Sequence, residues 1–308
     1  MQMNWRGVMP ATTTAFDEDL NIDHAFVAKH ASWLIDNGCT AIIAPGSLGE
    51  SATLSFGEKV ALWSTLIAAV GERVPVVAAI ASLSTNEAVA LAQRAADVGC
   101  KGLMVLPPYV YRSDWREVKA HIGATFRATK LSCMLYNNPV AYGTDFLPEQ
   151  IRELAAEHEN LAAVKESSTD VRRITWIKEL TGDRLEISVG VDDAIVEGIA
   201  AGAVGWVAGL VNALPKESVA LFNYALNGEH EKARELYYWF LPLLRMDTVP
   251  KFVQLIKLVQ EEVGMGSAPV RPPRLELSGE ELEEARRVIR HALETRIELS
   301  TSFAARNP

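Results

Sequence analysis

The chain has 308 residues, 49% hydrophobic and 22% charged, with 30 basic against 39 acidic side chains and a formal net charge of −9. That length buries a substantial core, and that composition excludes a disordered or fibrous chain. The acidic balance, with no basic run longer than Arg172-Arg173 or Arg286-Arg287, excludes a general nucleic-acid binder and leaves small molecules as the expected partners.

In chain order, the N-terminus MQMNWRGVMPATTT lacks a basic segment followed by an apolar one. No apolar run approaches the ~20 residues that span a bilayer. A cytoplasmic protein without a membrane partner is expected. From there short apolar runs alternate with stretches of helical period. Residues 7–14 lead into 22–36, 40–46 into 55–70, 74–81 into 86–98, and 102–108 into 113–127. Residues 131–139 lead into 148–157, 161–168 into 171–180, 185–192 into 194–201, and 203–210 into 215–226. Asp23, Ser55 and Ser113 sit where helix N-caps belong, and Pro148 and Pro215 suit first-turn positions. Consecutive parallel strands need helical crossovers, and eight such units close into an α/β fold of the (β/α)8 TIM-barrel type, expected over residues 1–226. No Gly-x-Gly-x-x-Gly opens the first crossover, which disfavours a dinucleotide fold. After residue 226 the strand runs stop. Residues 231–244, 248–264 and 279–293 predict a three-helix appendage within a C-terminal helical region, 227–308, and the Pro-rich stretch 268–273 predicts a surface connector. Tyr237, Tyr238, Trp239 and Phe240 are expected to pack on the barrel. The widely spaced Cys39, Cys100 and Cys133, set in apolar sequence, predict packed thiols rather than a disulfide framework or a metal knuckle.

In a barrel the chemistry lies at the carboxyl ends of the strands. The second run ends in Pro45-Gly46-Ser47-Leu48-Gly49-Glu50-Ser51, a loop able to present N–H groups and a hydroxyl to a carboxylate, although glycine-rich loops are common there. The fifth ends in Tyr136, either a packed aromatic or a proton shuttle. The sixth, Leu-Ala-Ala-Val-Lys-Glu-Ser-Ser, ends in Lys165. A lysine at the end of a buried strand either snorkels or pairs with a neighbour such as Glu166, or it sits poorly solvated. In the last case its pKa falls and its amine can attack a carbonyl to form a Schiff base.

Taken together, Gly46-Ser47-Leu48-Gly49-Glu50, Tyr136-Asn137-Asn138-Pro139 and Lys165-Glu166-Ser167 resemble the three motifs of the dihydrodipicolinate synthase/N-acetylneuraminate lyase family of class I Schiff-base barrels. The likeness extends over nearly the whole chain, including Gly190-Val191-Asp192-Asp193. It implies a Schiff base between Lys165 and a 2-oxo acid, Tyr136 as proton shuttle, and substrate binding by Gly46, Ser47, Leu48, Gly49 and Val207. It also implies a homotetramer built as a dimer of dimers, with no metal and no organic cofactor.

The departures from the pattern select within the family. True dihydrodipicolinate synthases carry Thr-Thr where this chain has Ser47-Leu48, an arginine where it has Ala141, and a relay tyrosine near Val110, which Tyr109 or Tyr111 could replace. A guanidinium is the natural clamp for a second substrate's carboxylate, and alanine offers none. The Gly46-Ser47-Leu48-Gly49 loop and Tyr136-Asn137-Asn138-Pro139 most resemble the hydroxyproline-pathway branch of the family. This likeness implies elimination from a 2-oxo acid or cyclic imine, with 1-pyrroline-4-hydroxy-2-carboxylate deaminase as the specific expectation and an apolar Leu48 lining the pocket. Dihydrodipicolinate synthase and other 2-oxo acid aldolases or dehydratases are the alternative within the family. The altered relay at Leu48 and Val110 leaves open a barrel that binds a 2-oxo acid without turning it over.

Overall fold

The computed structural model describes residues 3–109 and 111–299. Val110, named above for its place in the relay, lies outside the described residues, as do residues 300–308 of the expected helical region. Eight parallel strands alternate with helices: β1 Gly7–Pro10, α1 His24–Asp36, β2 Ile42–Ala44, α2 Phe56–Val70, β3 Val76–Ile80, α3 Thr85–Val98, β4 Gly102–Val105 and α4 Trp115–Arg127. The second half continues with β5 Ser132–Asn137, α5 Pro139–Tyr142, α6 Pro148–Glu157, β6 Leu161–Glu166, α7 Arg172–Thr181, β7 Glu186–Val189, α8 Ile195–Ala200, β8 Gly205–Ala208 and α9 Pro215–Leu226. Then come α10 His230–Leu244, α11 Phe252–Glu262 and α12 Gly279–Glu294. Among the described residues no helix is long and apolar enough to cross a membrane.

The strands run in the order β1-β8-β7-β6-β5-β4-β3-β2. The seam between β1 and β2 is closed by Thr40 N–H donating to Val8 O (2.9 Å) and Thr12 N–H to Ile43 O (3.0 Å). The expected (β/α)8 barrel is thus the observed one. Alternation along the strands splits the core in two. Met9, Ile43, Val77, Ala79, Met104, Met134, Tyr136, Ala163 and Val207 fill the barrel interior. The residues between them face the helices with Leu34, Trp63, Leu91, Phe126 and Ile177.

Local signals explain most helix starts. Asp23 caps α1, and Ser55 opens α2 in a capping box with Glu58. Proline occupies the first turn of α6 and α9. At α4 the cap is Asp114, not Ser113: the Asp114 carboxylate accepts from Glu117 N–H at 2.9 Å. Two adjacent residues could both cap, and the carboxylate, favoured by the helix dipole, takes the position. Cys39, Cys100 and Cys133 are free and buried, and burial pushes the Cys100 thiol up to about 12.

The C-terminal helices pack on the barrel as the aromatic cluster predicted. Tyr237 and Phe240 are buried, and the Tyr237 hydroxyl donates to Asp193 O and to Glu197 Oε2 (2.9 Å), while Tyr238 faces solvent. A second tether is ionic. Lys257 Nζ on α11 donates to Glu50 Oε1 at 2.6 Å and to Pro269 O at 2.7 Å, with Glu50 0% and Lys257 2% exposed. Glu50 Oε2 accepts from Arg271 N–H (2.9 Å), so helix, connector and β2 loop meet at one carboxylate. Lys257→Met should cost about 3 to 5 kcal/mol, because it strands a buried charge, and adding Glu50→Gln should recover part of the loss. Urea unfolding of single and double variants checks this; a single-variant loss under about 1 kcal/mol would mean that the pair behaves as a surface bridge.

Candidate active site

β5 and β6 are paired so that Tyr136 and Lys165 are direct neighbours across the ladder, both pointing into the barrel. The Lys165 ammonium lies 4.2 Å above the centroid of the Tyr136 ring, and each residue is 6% exposed. Among the described residues Lys165 makes no hydrogen bond or ion pair. Glu166, the neighbour that could have paired with it, points the other way: its carboxylate accepts from Asn137 Nδ2 (3.0 Å) and Ser168 N–H (2.6 Å). Burial raises the Glu166 pKa, and those two donors oppose the rise.

The lysine side chain reaches this position because Gly190, just past β7, has no side chain. A Cβ there would stand 2.5 Å from Lys165 Cε and would overlap Ser167 Oγ. Asn137 fixes the β5 end through its amide, which accepts from Phe146 N–H at 3.0 Å and donates to Glu166. Asn138 Nδ2 donates to the Tyr136 hydroxyl (3.1 Å), and Asn138 Oδ1 caps α5 by accepting from Ala141 N–H (3.0 Å).

The β2 loop forms the facing wall. Among the described residues the backbone N–H groups of Ser47, Leu48 and Gly49 donate to no other residue. Successive free N–H groups suit a carboxylate. The Leu48 side chain does not line the barrel interior. It is 4% exposed and packs into the layer between strands and helices. Gly46 lies over Met104, with Cε 3.6 Å from where a Cβ would stand. Val207 lines the interior one layer above the register partners Lys165 and Ser188.

The sequence reasoning passed over one hydroxyl. Tyr142, the last residue of α5, shares a short hydrogen bond with Ser47, and its ring stands edge-on to Tyr136 at 5.7 Å and tilted on Tyr109 at 5.6 Å. Burial, then the neighbouring Tyr136 phenol, raises the Tyr142 pKa well above the ordinary tyrosine value. Ser47, Tyr142 and Tyr136 thus form a continuous polar line within one chain. Tyr109 is attached to it by stacking, whereas Tyr111 is 55% exposed. A tyrosine six residues after Tyr136 was the available signal, legible only once α5 is known to fold back over the mouth.

Comparison with known proteins agrees with this geometry. Residues 4–292 match the model of the dihydrodipicolinate synthetase family. The 4-hydroxy-tetrahydrodipicolinate synthase of Methanocaldococcus jannaschii is 31% identical over 290 residues, covering 94% of this chain and 98% of that protein. The enzyme of the same name from Natronomonas pharaonis is 34% identical over 284 residues, 92% of this chain and 96% of its own. The crystal structure of dihydrodipicolinate synthase DapA-2 from Bacillus anthracis superposes with a TM-score of 0.90 at 30% identity, over 96% of this chain and 100% of that one. That of dihydrodipicolinate synthase from Aquifex aeolicus gives 0.89 at 28% identity, over 93% and 97%. A match over nearly the full length, on a barrel whose fifth and sixth strands end in a stacked tyrosine and lysine, means that the chain belongs to the dihydrodipicolinate synthetase family and is a Schiff-base enzyme of the lyase and aldolase class.

Proposed function

We propose that Lys165 forms an imine with the carbonyl of a small 2-oxo acid, pyruvate being the simplest, and that Tyr136 moves the protons. The observation that carries this reading is the buried Lys165 ammonium above the Tyr136 ring, unpaired among the described residues. The amine attacks the C2 carbonyl, whose oxygen leaves as water. The resulting iminium acidifies C3, and a proton passing to the tyrosine side leaves an enamine. The free N–H groups of Ser47, Leu48 and Gly49 receive the substrate carboxylate. The same reading carries a cytoplasmic tetramer built as a pair of dimers.

For the second step, the printed names of the relatives support condensation with an aldehyde such as aspartate semialdehyde. They give no support to the narrower expectation of a 1-pyrroline-4-hydroxy-2-carboxylate deaminase. A specific contact also favours condensation. Ala141 removes the expected guanidinium, yet Arg112 packs on the same turn, its Nε 3.5 Å from where a Cβ on Gly143 would stand. Arg112 is able to hold a second carboxylate in its place. Elimination stays as the second reading because Ala141 leaves the mouth without a buried cation there.

Arg112→Ala is then expected to weaken use of aspartate semialdehyde by about 10- to 100-fold, the worth of one ion-paired hydrogen bond, with pyruvate labelling of Lys165 unaffected. A coupled assay for condensation, run beside ammonia release from 1-pyrroline-4-hydroxy-2-carboxylate, reads this. Ammonia release without condensation by the wild type would replace condensation with elimination.

A further inference from the structure

The β8 side of the mouth carries a carboxyl that imine formation does not use. Asp247 ends a short 3-10 turn, Arg245–Asp247, between α10 and α11. β8 ends at Ala208, and the next residue, at the carboxyl end of the strand, is position 209. That position is glycine, and a Cβ on it would stand 2.5 Å from Asp247 Cγ. The Asp247 carboxyl therefore fills the space that Gly209 leaves open at the end of β8. It reaches the site from more than 80 residues downstream of Lys165.

Three observations describe the state of this group. Among the described residues Asp247 makes no hydrogen bond or ion pair. On the outer side of β8, Asp192 accepts from Gly209 N–H (3.1 Å), Leu210 N–H (2.7 Å) and Trp206 Nε1–H (2.9 Å), so the two carboxyls straddle Gly209. Burial, then repulsion from Asp192, raises the Asp247 pKa well above its ordinary value, against the pull of the Lys165 ammonium. Asp192 itself is pushed up to about 6 by burial.

An independent feature marks this flank as built for a ligand oxygen. Among the described residues Ser167 Oγ is buried without a hydrogen-bond partner. Ser167 Oγ lies against Gly190, as does Lys165 Cε. Buried hydroxyls without partners are uncommon in native proteins. Strand order puts Tyr136 on the opposite side of Lys165, so the lysine has a phenol on one flank and a carboxyl with an open hydroxyl on the other.

We propose that Asp247 is the proton donor to the oxygen on C4 of the 2-oxo acid bound at Lys165. The inference rests on the imine reading above and adds the residue that serves the far end of the substrate. In condensation, the enamine nitrogen pair forms C=N, the C2=C3 pair forms the new C3–C4 bond, and the aldehyde π pair moves to oxygen, which takes the Asp247 proton. In elimination, the same nitrogen pair forms C=N, the C2=C3 pair becomes C3=C4, and the C4–O pair leaves with that proton as water. Either way a neutral enamine and a neutral acid become an iminium and a carboxylate. The new charges stabilise each other across the mouth. Asp247 is partly exposed and regains its proton from solvent.

The test separates the two ends of the substrate. Asp247→Asn keeps the shape and cannot supply the proton. It should still be labelled on Lys165 by pyruvate and borohydride, and should still exchange the C3 protons of pyruvate for deuterium within about threefold of the wild type. Its turnover should fall by about 10²- to 10⁴-fold, measured as condensation of pyruvate with aspartate semialdehyde and as ammonia release from 1-pyrroline-4-hydroxy-2-carboxylate, whichever the wild type performs. Should this variant fail to fold, Asp247→Ala is read by the same ratio of exchange to turnover. Turnover within about threefold of the wild type overturns the assignment, and so does parallel loss of labelling, exchange and turnover, which would place Asp247 in imine formation or in the fold. A wild type that takes label but performs neither reaction removes the donor and leaves the imine standing. A wild type that takes no label removes the imine reading and the donor with it.

Discussion

Lys165→Arg is expected to abolish turnover, with a loss on the order of 10⁴-fold or more, as befits removal of a covalent nucleophile. Arginine keeps the positive charge but stays protonated, so it has no free amine for a carbonyl. The fold should survive, because Lys165 makes no hydrogen bond or ion pair among the described residues. What it does make is a close approach to Gly190 and a stacking contact with Tyr136. A bulkier head group at that contact costs local packing only, so the variant should melt cooperatively near the wild-type temperature. Retained turnover in Lys165→Arg would assign the chemistry to another residue.

Tyr136→Phe should have the next largest effect, a fall in turnover of about 10²- to 10⁴-fold, the range of a general acid-base group. The ring stays edge-on to Tyr142 and under the Lys165 ammonium, while the hydroxyl's contacts with Asn138 Nδ2 and the Tyr142 phenol are lost. The imine should therefore form at nearly the wild-type level, while pyruvate C3 exchange slows with turnover. Unchanged exchange would move the shuttle to Tyr142, which already shares a hydrogen bond with Ser47.

How far the sequence reaches depends on how local the determining interaction is. The barrel was legible because eight apolar runs of strand length each precede a 3.6-residue period, and both patterns come from burial on fixed faces. Lys165 and Tyr136 were legible because each ends an apolar run, and strand ends are where a barrel opens. Leu48 was misjudged as a pocket residue. Its side chain packs outward from a turn, where no period constrains the chain and alternation cannot be counted. Tyr142 was passed over because its place depends on α5, a single turn capped by Asn138 that folds the chain back over the mouth. Asp247 was beyond reach for a different reason. Nothing near residue 247 signals that its carboxyl enters the space above Gly209, a contact between the C-terminal region and the last strand. Glu50 belongs with these: as part of the β2 motif it could have faced substrate, yet it holds Lys257 and the Arg271 backbone instead.

The most direct test of the account is the position of the covalent adduct. The protein is incubated with pyruvate, reduced with borohydride, digested and analysed by mass spectrometry. The reduced pyruvyl group should appear on the peptide containing Lys165 and disappear in Lys165→Arg. Label on a different lysine, or no label on a folded protein, would contradict the assignment of Lys165 as the residue that forms the Schiff base.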